Sequence, residues 1–258
     1  PFNCNFCVSA DLPYKRRDIG NVMRELHYLR SLGIRELWIK DVTFGGHKRH
    51  HRQLCEAMIE ENLDFGWVCL SRVDVMNEGM LDLMARAGCH TIQFGVESPT
   101  KEILEYIHKQ ISGEQVKEIF QICRRMGIRT LAHYVLGFPG ETRQTAEATI
   151  RYAIELDSDF ASFNVATPKV GTAFREEAIA RGWIEESLDT ALDNSLARPV
   201  MDVGTISPEE VWRMRNRAIA RFHLRPRYIW RTLRNSRSLK EVLNHAKEAT
   251  SLFKTVQG

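Results

Sequence analysis

The sequence contains no run of eighteen apolar residues, which excludes a membrane-spanning helix of the usual kind. Its opening has no basic flank followed by an apolar stretch, so it does not start as a targeting signal does. Beginning at Pro1 rather than Met, it leads us to expect further sequence upstream. Cysteine is scarce and unevenly placed: six in 258 residues are too few for a disulfide scaffold and fit a reducing, cytoplasmic setting. Excess charge of one sign is also missing, and a net charge of +3 names no partner. No Gly-x-Gly-x-x-Gly turn follows the first expected strand, which weakens a dinucleotide-binding reading.

What is present is a regular alternation of elements. With 43% hydrophobic residues the chain can bury one sizeable core. Residues 18–32 place Ile19, Val22, Met23, Leu26 and Leu29 three and four apart, as on one helical face, and Gly33 follows as a stop signal. Residues 36–44 then read as a buried strand ending at Gly45-Gly46. The pattern repeats, with helices over 47–62, 77–87, 112–126, 142–156 and 172–181 and strands over 65–74, 90–98, 129–137 and 160–168. Five strands, each followed by a helix, imply parallel pairing with right-handed crossovers. The fold class is α/β, as an open doubly wound sheet or a barrel. In both, ligand groups gather at the carboxyl ends of the strands. Those ends carry Asp41, Ser71-Arg72, Glu97-Ser98, Gly137 and Thr167-Pro168.

Cys4-Asn-Phe-Cys7 presents two thiols from one loop, a spacing that lets both reach one soft metal or iron–sulfur cluster. Alone, the pair is ambiguous among zinc, thiol redox chemistry and a cluster. No second Cys-x-x-Cys or Cys-x-x-His completes a four-ligand zinc site. Cys55, Cys69, Cys89 and Cys123 fall in apolar periodic stretches and read as buried small hydrophobes.

Taken in order, Cys4-Asn-Phe-Cys7, residues 36–46, Ser71-Arg-Val-Asp74, Gly95-Val-Glu-Ser98, Gly137-Phe-Pro-Gly-Glu-Thr142 and Pro168-Lys-Val-Gly-Thr172 resemble the radical S-adenosylmethionine superfamily. Within it, the chain resembles members that carry a cobalamin-binding domain ahead of the barrel, the methylases and the anaerobic magnesium-protoporphyrin ester cyclase. The resemblance implies a partial (β/α)6 TIM-type barrel lacking its first strand over residues 1–182. An Arg-rich, C-terminal helical extension would follow over 183–258. It also implies a [4Fe–4S] cluster ligated by Cys4 and Cys7, with a third cysteine immediately before Pro1. S-adenosyl-L-methionine is then cleaved reductively at that cluster to begin methylation or oxidative cyclisation of a small-molecule substrate. Electrons would come from a flavodoxin- or ferredoxin-type protein, and cobalamin would sit in a domain outside this chain.

The same resemblance assigns roles residue by residue. Phe6 packs toward the adenine, or simply anchors the loop. Asp41 accepts from the methionine ammonium, with capping of the next turn as the alternative. Arg72 pairs with the methionine carboxylate through its planar fork, or with Asp74. Glu97 accepts the ribose hydroxyls, and Gly137 lets the strand approach the nucleoside closely. Where family members often read Pro-Tyr-Pro-Gly-Thr, this chain has Pro168-Lys-Val-Gly-Thr172, and Lys169 hints at an anionic group on the substrate.

Three features remain. His47 and His51 are four apart and suit one metal on a helical face, but a solvated, basic helix start is the expected reading. His133, in mid-strand, reads as a core histidine or a substrate contact. Residues 211–240 carry ten Lys or Arg and no acid, with Trp212, Phe222, Tyr228 and Trp230 interleaved. Helices packed on the barrel by their aromatic side, with arginines facing water, are favoured there over binding of nucleic acid, an acidic lipid surface or an electron-donor protein with an acidic face. Competing functions are a tRNA methylthiotransferase-like enzyme and a zinc-bound nucleic-acid-binding module without catalysis; the latter leaves the polar strand ends unexplained.

Overall fold

The computed structural model describes residues 2–10, 12–13, 15–188 and 198–235. In chain order the elements are α1 (Ile19–Ser31), β1 (Glu36–Ile39), α2 (Lys48–Glu60), β2 (Gly66–Ser71), α3 (Glu78–Arg86) and β3 (Cys89–Glu97). Then come α4 (Lys101–Tyr106), α5 (Gly113–Arg125), β4 (Arg129–Leu136), α6 (Arg143–Leu156), β5 (Phe160–Val165), α7 (Ala173–Ala180), α8 (Pro208–His223) and α9 (Pro226–Asn235). Helix starts follow from side chains that satisfy the free N–H groups of a first turn. Asp18, Asn77, Ser112 and Thr172 each accept from the backbone N–H three residues on.

The five strands are all parallel and pair in the order β1-β2-β3-β4-β5. A doubly wound sheet reverses its strand order at a switch point. Here the order runs straight through, so the sheet is part of a TIM-type barrel with helices outside. The turn into β3 depends on Gly88, at φ +92°, because a Cβ there would lie 1.9 Å from the Phe65 carbonyl oxygen. The inner core holds Trp67, Phe94 and Tyr134. Cys55, Cys69, Cys89 and Cys123 are buried within it, as expected of small hydrophobes. Burial pushes the Cys55 and Cys123 thiols up to about 12, so they stay protonated.

Two elements differ from expectation. β1 ends at Ile39 rather than running to residue 44. Residues 40–42 leave the sheet into an exposed stretch, and Phe44 returns to the core with its N–H on the Leu70 carbonyl at 2.9 Å. The six-residue α4 has too few turns to display a helical period.

In the C-terminal part, α8 packs on β5 and α6, and its Val211, Met214, Ala218, Ile219 and Phe222 join the same core as the strands. The expectation of arginines facing water is corrected for several of them. Arg225 and Arg231, largely covered, lie 3.3–3.4 Å from the Asp157 carboxylate, which the exposed Arg227 also reaches at 3.2 Å, and Arg215 donates to the Phe163 carbonyl at 3.1 Å. A guanidinium has five donors, so several arginines can meet the one acidic helix end and the free carbonyls that the barrel offers. The basic stretch expected up to Lys240 continues past Asn235, outside the described residues. No described helix is long and apolar enough to cross a membrane.

Candidate active site

A cavity of about 990 Å³ opens at the carboxyl ends of the strands. Cys4, Phe6, Cys7, Asp41, Arg72 and Glu97 all line it. Residues far apart in the chain are brought together because parallel strands deliver their exits to the same end. Gly137 is the exception among the expected site residues. Its N–H is taken by the Glu141 carboxylate, and a Cβ there would point at Val211 of α8, 3.0 Å away. Its neighbour Phe138 faces the cavity instead.

The cysteine loop is held from two directions. The Asn5 side chain donates to the Tyr106 carbonyl at 2.9 Å, and the Phe174 N–H donates to the Asn5 carbonyl at 3.0 Å. Phe6 stacks edge-on against Phe138 with ring centroids 5.4 Å apart, which anchors the loop while leaving the ring on the cavity wall. Both cysteines are free thiols. Cys4 receives a hydrogen bond from Arg72 Nη1 at 3.2 Å. The other two nitrogens of that guanidinium are spent on Asp74: Nε on Oδ1 at 2.9 Å and Nη2 on Oδ2 at 2.6 Å.

Asp41 has a partner the sequence reading did not assign. His51 is 2% exposed and its Nε2 lies 2.7 Å from Asp41 Oδ2. The Gly45 N–H donates to His51 Nδ1 at 3.0 Å, so the ring proton sits on Nε2 and is donated to the carboxylate. The expectation of a solvated, basic helix start is thereby corrected for His51: it orients Asp41. His47 caps α2 by accepting from the His50 N–H, and among the described residues no group of three or more His, Cys, Asp or Glu is arranged around a metal position.

Glu97 is buried, and Lys109 Nζ binds its Oε1 at 2.7 Å from an equally buried position. The bulge that places Glu97 puts it at φ +60° and interrupts the β3–β4 register after Gly95. Gly95 lies under the pair: a Cβ there would come within 2.3 Å of Glu97 Oε1 and 2.7 Å of Lys109 Nζ. Deeper in, His133 Nε2 lies 3.1 Å from Gln93 Oε1, and both line the cavity. Burial pushes the His133 imidazole below its usual range, so it is a neutral hydrogen-bonding group facing the cavity.

A partial parallel barrel, with two loop thiols and three charged strand exits around one cavity, defines a cofactor-binding α/β barrel of the enzyme type. The sequence profile of the radical SAM superfamily matches residues 1–153, and the chain belongs to that superfamily, whose members use a [4Fe–4S] cluster and S-adenosylmethionine. The chain is 35% identical over 237 residues to an uncharacterized methyltransferase of Pyrococcus horikoshii, covering 89% of this chain and 50% of that protein. It is 28% identical to the cytidylyl-2-hydroxyethylphosphonate methyltransferase of Streptomyces wedmorensis, covering 81% and 40%. To the anaerobic magnesium-protoporphyrin IX monomethyl ester cyclase of Rubrivivax gelatinosus it is 29% identical, covering 65% and 31%. The chain thus spans half or less of the length of these relatives. Among solved structures, the radical S-adenosylmethionine methyltransferase TsrM of Kitasatospora setae, with cobalamin and a [4Fe–4S] cluster bound, shares the fold at a TM-score of 0.65. That match has 21% identity and covers 83% of this chain and 44% of that one.

Proposed function

We propose that this chain is the catalytic barrel of a radical S-adenosylmethionine enzyme of the methyltransferase or cyclase type, acting on a small molecule. The observation that carries the reading is that Cys4 and Cys7 share one cavity with Asp41, Arg72 and Glu97. The residues fit the implied group: two free thiols three apart, one of them already hydrogen-bonded by a cation, at the rim of a cavity of about 990 Å³. The cluster and S-adenosylmethionine, when bound, supply the electron and the cleavable sulfonium bond that start radical chemistry.

The chain's own residues bind, orient and exclude water. Cys4 and Cys7 hold the cluster, and Asn5 fixes their loop against Tyr106 and Phe174. Asp41, oriented by His51, accepts from the methionine ammonium. Glu97, held by Lys109, accepts from the ribose hydroxyls, and Phe6 provides an apolar wall for the adenine. Gly137 shapes the strand exit through its left-handed turn and contributes by placing Phe138. Reduction by a flavodoxin- or ferredoxin-type protein completes the proposal, together with cobalamin in a separate domain, a cofactor that the TsrM structure contains.

The test is anaerobic reconstitution of the full-length protein with iron and sulfide, followed by reduction and addition of S-adenosylmethionine. Release of 5′-deoxyadenosine supports the reading. A protein that takes up stoichiometric zinc, builds no cluster and yields none of that product would overturn it.

A further inference from the structure

Arg72 is placed at the strand exit where a ligand carboxylate is expected, yet its guanidinium is already committed. Nε and Nη2 form a two-pronged pair with Asp74, and Nη1 points at the Cys4 sulfur 3.2 Å away. The group is also clamped from its face, with its central carbon 4.3 Å above the Phe2 ring. Only 11% of the side chain is exposed. With its Nε–Nη2 edge filled by Asp74 and Nη1 turned to Cys4, three of the five N–H groups are engaged, and the side edge that would pair a ligand carboxylate is already taken.

A fixed N–H donor on a cluster-ligating sulfur has a definite electrical consequence. Hydrogen bonds and positive charge at the sulfurs stabilise the more negative, reduced state of an iron–sulfur cluster and raise its potential. We infer that Arg72 is a positioning residue that sets the reduction potential of the cluster through Cys4, with Asp74 as the counter-charge that holds and moderates it, rather than a clamp for the methionine carboxylate. The inference rests on Cys4 being a cluster ligand, as proposed above.

Opposite signs are expected for two substitutions. In Arg72→Gln the donor cation is gone, and the one-electron midpoint of the reconstituted full-length protein moves to more negative potential. In Asp74→Asn the amide oxygen still anchors Arg72, but the compensating negative charge is gone, so the midpoint moves to more positive potential. The measurements are a potentiometric titration followed by electron paramagnetic resonance, iron content per chain, and S-adenosylmethionine affinity by calorimetry on the oxidised protein. The expected result is shifted midpoints of opposite sign, with wild-type affinity in both variants. An unmoved midpoint in Arg72→Gln together with a tenfold or greater loss of affinity would overturn the inference and restore the carboxylate clamp. If Arg72→Gln loads no iron, Asp74→Asn decides alone: a positive shift supports the inference, and no shift or a negative one sinks it. Failure of the wild-type protein to assemble any cluster would instead defeat the functional reading on which this rests.

Discussion

A carboxylate and an ammonium buried side by side stabilise a fold only while both are present. Glu97 and Lys109, whose side chains are 8% and 4% exposed, are such a pair. Lys109→Met leaves the carboxylate uncompensated and should cost about 3–5 kcal/mol in urea unfolding. Adding Glu97→Gln to that variant should recover most of the loss, and a single variant with wild-type stability would contradict the assignment. Glu141 makes a second prediction. Burial pushes its carboxyl up to about 7, against a partial offset from the Gly137 N–H that it accepts. A carboxyl raised in the folded state binds its proton more tightly there than when unfolded. Its contribution is therefore complete below pH 4.5 and is lost as the pH rises through about 7. The swing is about 3 kcal/mol at ~1.4 kcal/mol per pH unit. Glu141→Gln keeps an acceptor for Gly137 and removes this slope, so its unfolding free energy should fall less than that of the parent between those pH values. At this scale the sequence reading reached Asp41, Arg72 and Glu97, because a charged side chain closing an apolar strand is visible in one dimension. It did not reach Lys109 or the His51–Asp41 contact, since those partners arrive from a loop after α4 and from the first turn of α2. Asp74, two residues from Arg72, was visible as a partner because the pairing is local.

The strands and long helices were legible for a physical reason. The parallel strands read as short apolar runs, and α1, α3, α5, α6, α7 and α8 each carry a capping side chain before them. The end of β1 was not, because Val42 and Phe44 continue an apolar pattern while the backbone turns out of the sheet at Lys40. The arginine-rich helices show the limit of composition. Their charge suggested a solvated face, but Asp157, at the left-handed end of α6, collects three of the arginines. Arg231 also donates to the Ser158 carbonyl at 2.6 Å, and Arg225 to that of Ile154 at 2.9 Å. Asp157→Asn should release α9 from the barrel while leaving the strands intact. The expected readout is faster amide exchange in Pro226–Asn235, by about one to two powers of ten for a loss of 1.5–3 kcal/mol at charged contacts. Exchange accelerated equally in β3 and β4 would instead make Asp157 a residue of global stability.

For the molecule as a whole, the cysteine loop separates fold from cofactor. Cys4→Ser with Cys7→Ser in the full-length protein should abolish iron uptake while leaving the far-ultraviolet circular dichroism of the apo protein unchanged. Asn5, Phe6 and their partners hold that loop through contacts that do not involve the thiols, beside the weaker ones that Cys4 makes to Arg72 and the His108 carbonyl. A collapse of secondary structure in the double variant would show that the sulfurs themselves build the barrel. The way the loop is tied down also has a bearing on time. Asn5 is synthesised well before the groups that secure it, which belong to Tyr106 and Phe174, about a hundred and about 170 positions later. Until those have been synthesised and docked, the two thiols lie on an unsupported loop that chain growth leaves waiting. The loop that carries both thiols is therefore closed late, by a stitch at Asn5 that forms only when α7 has arrived.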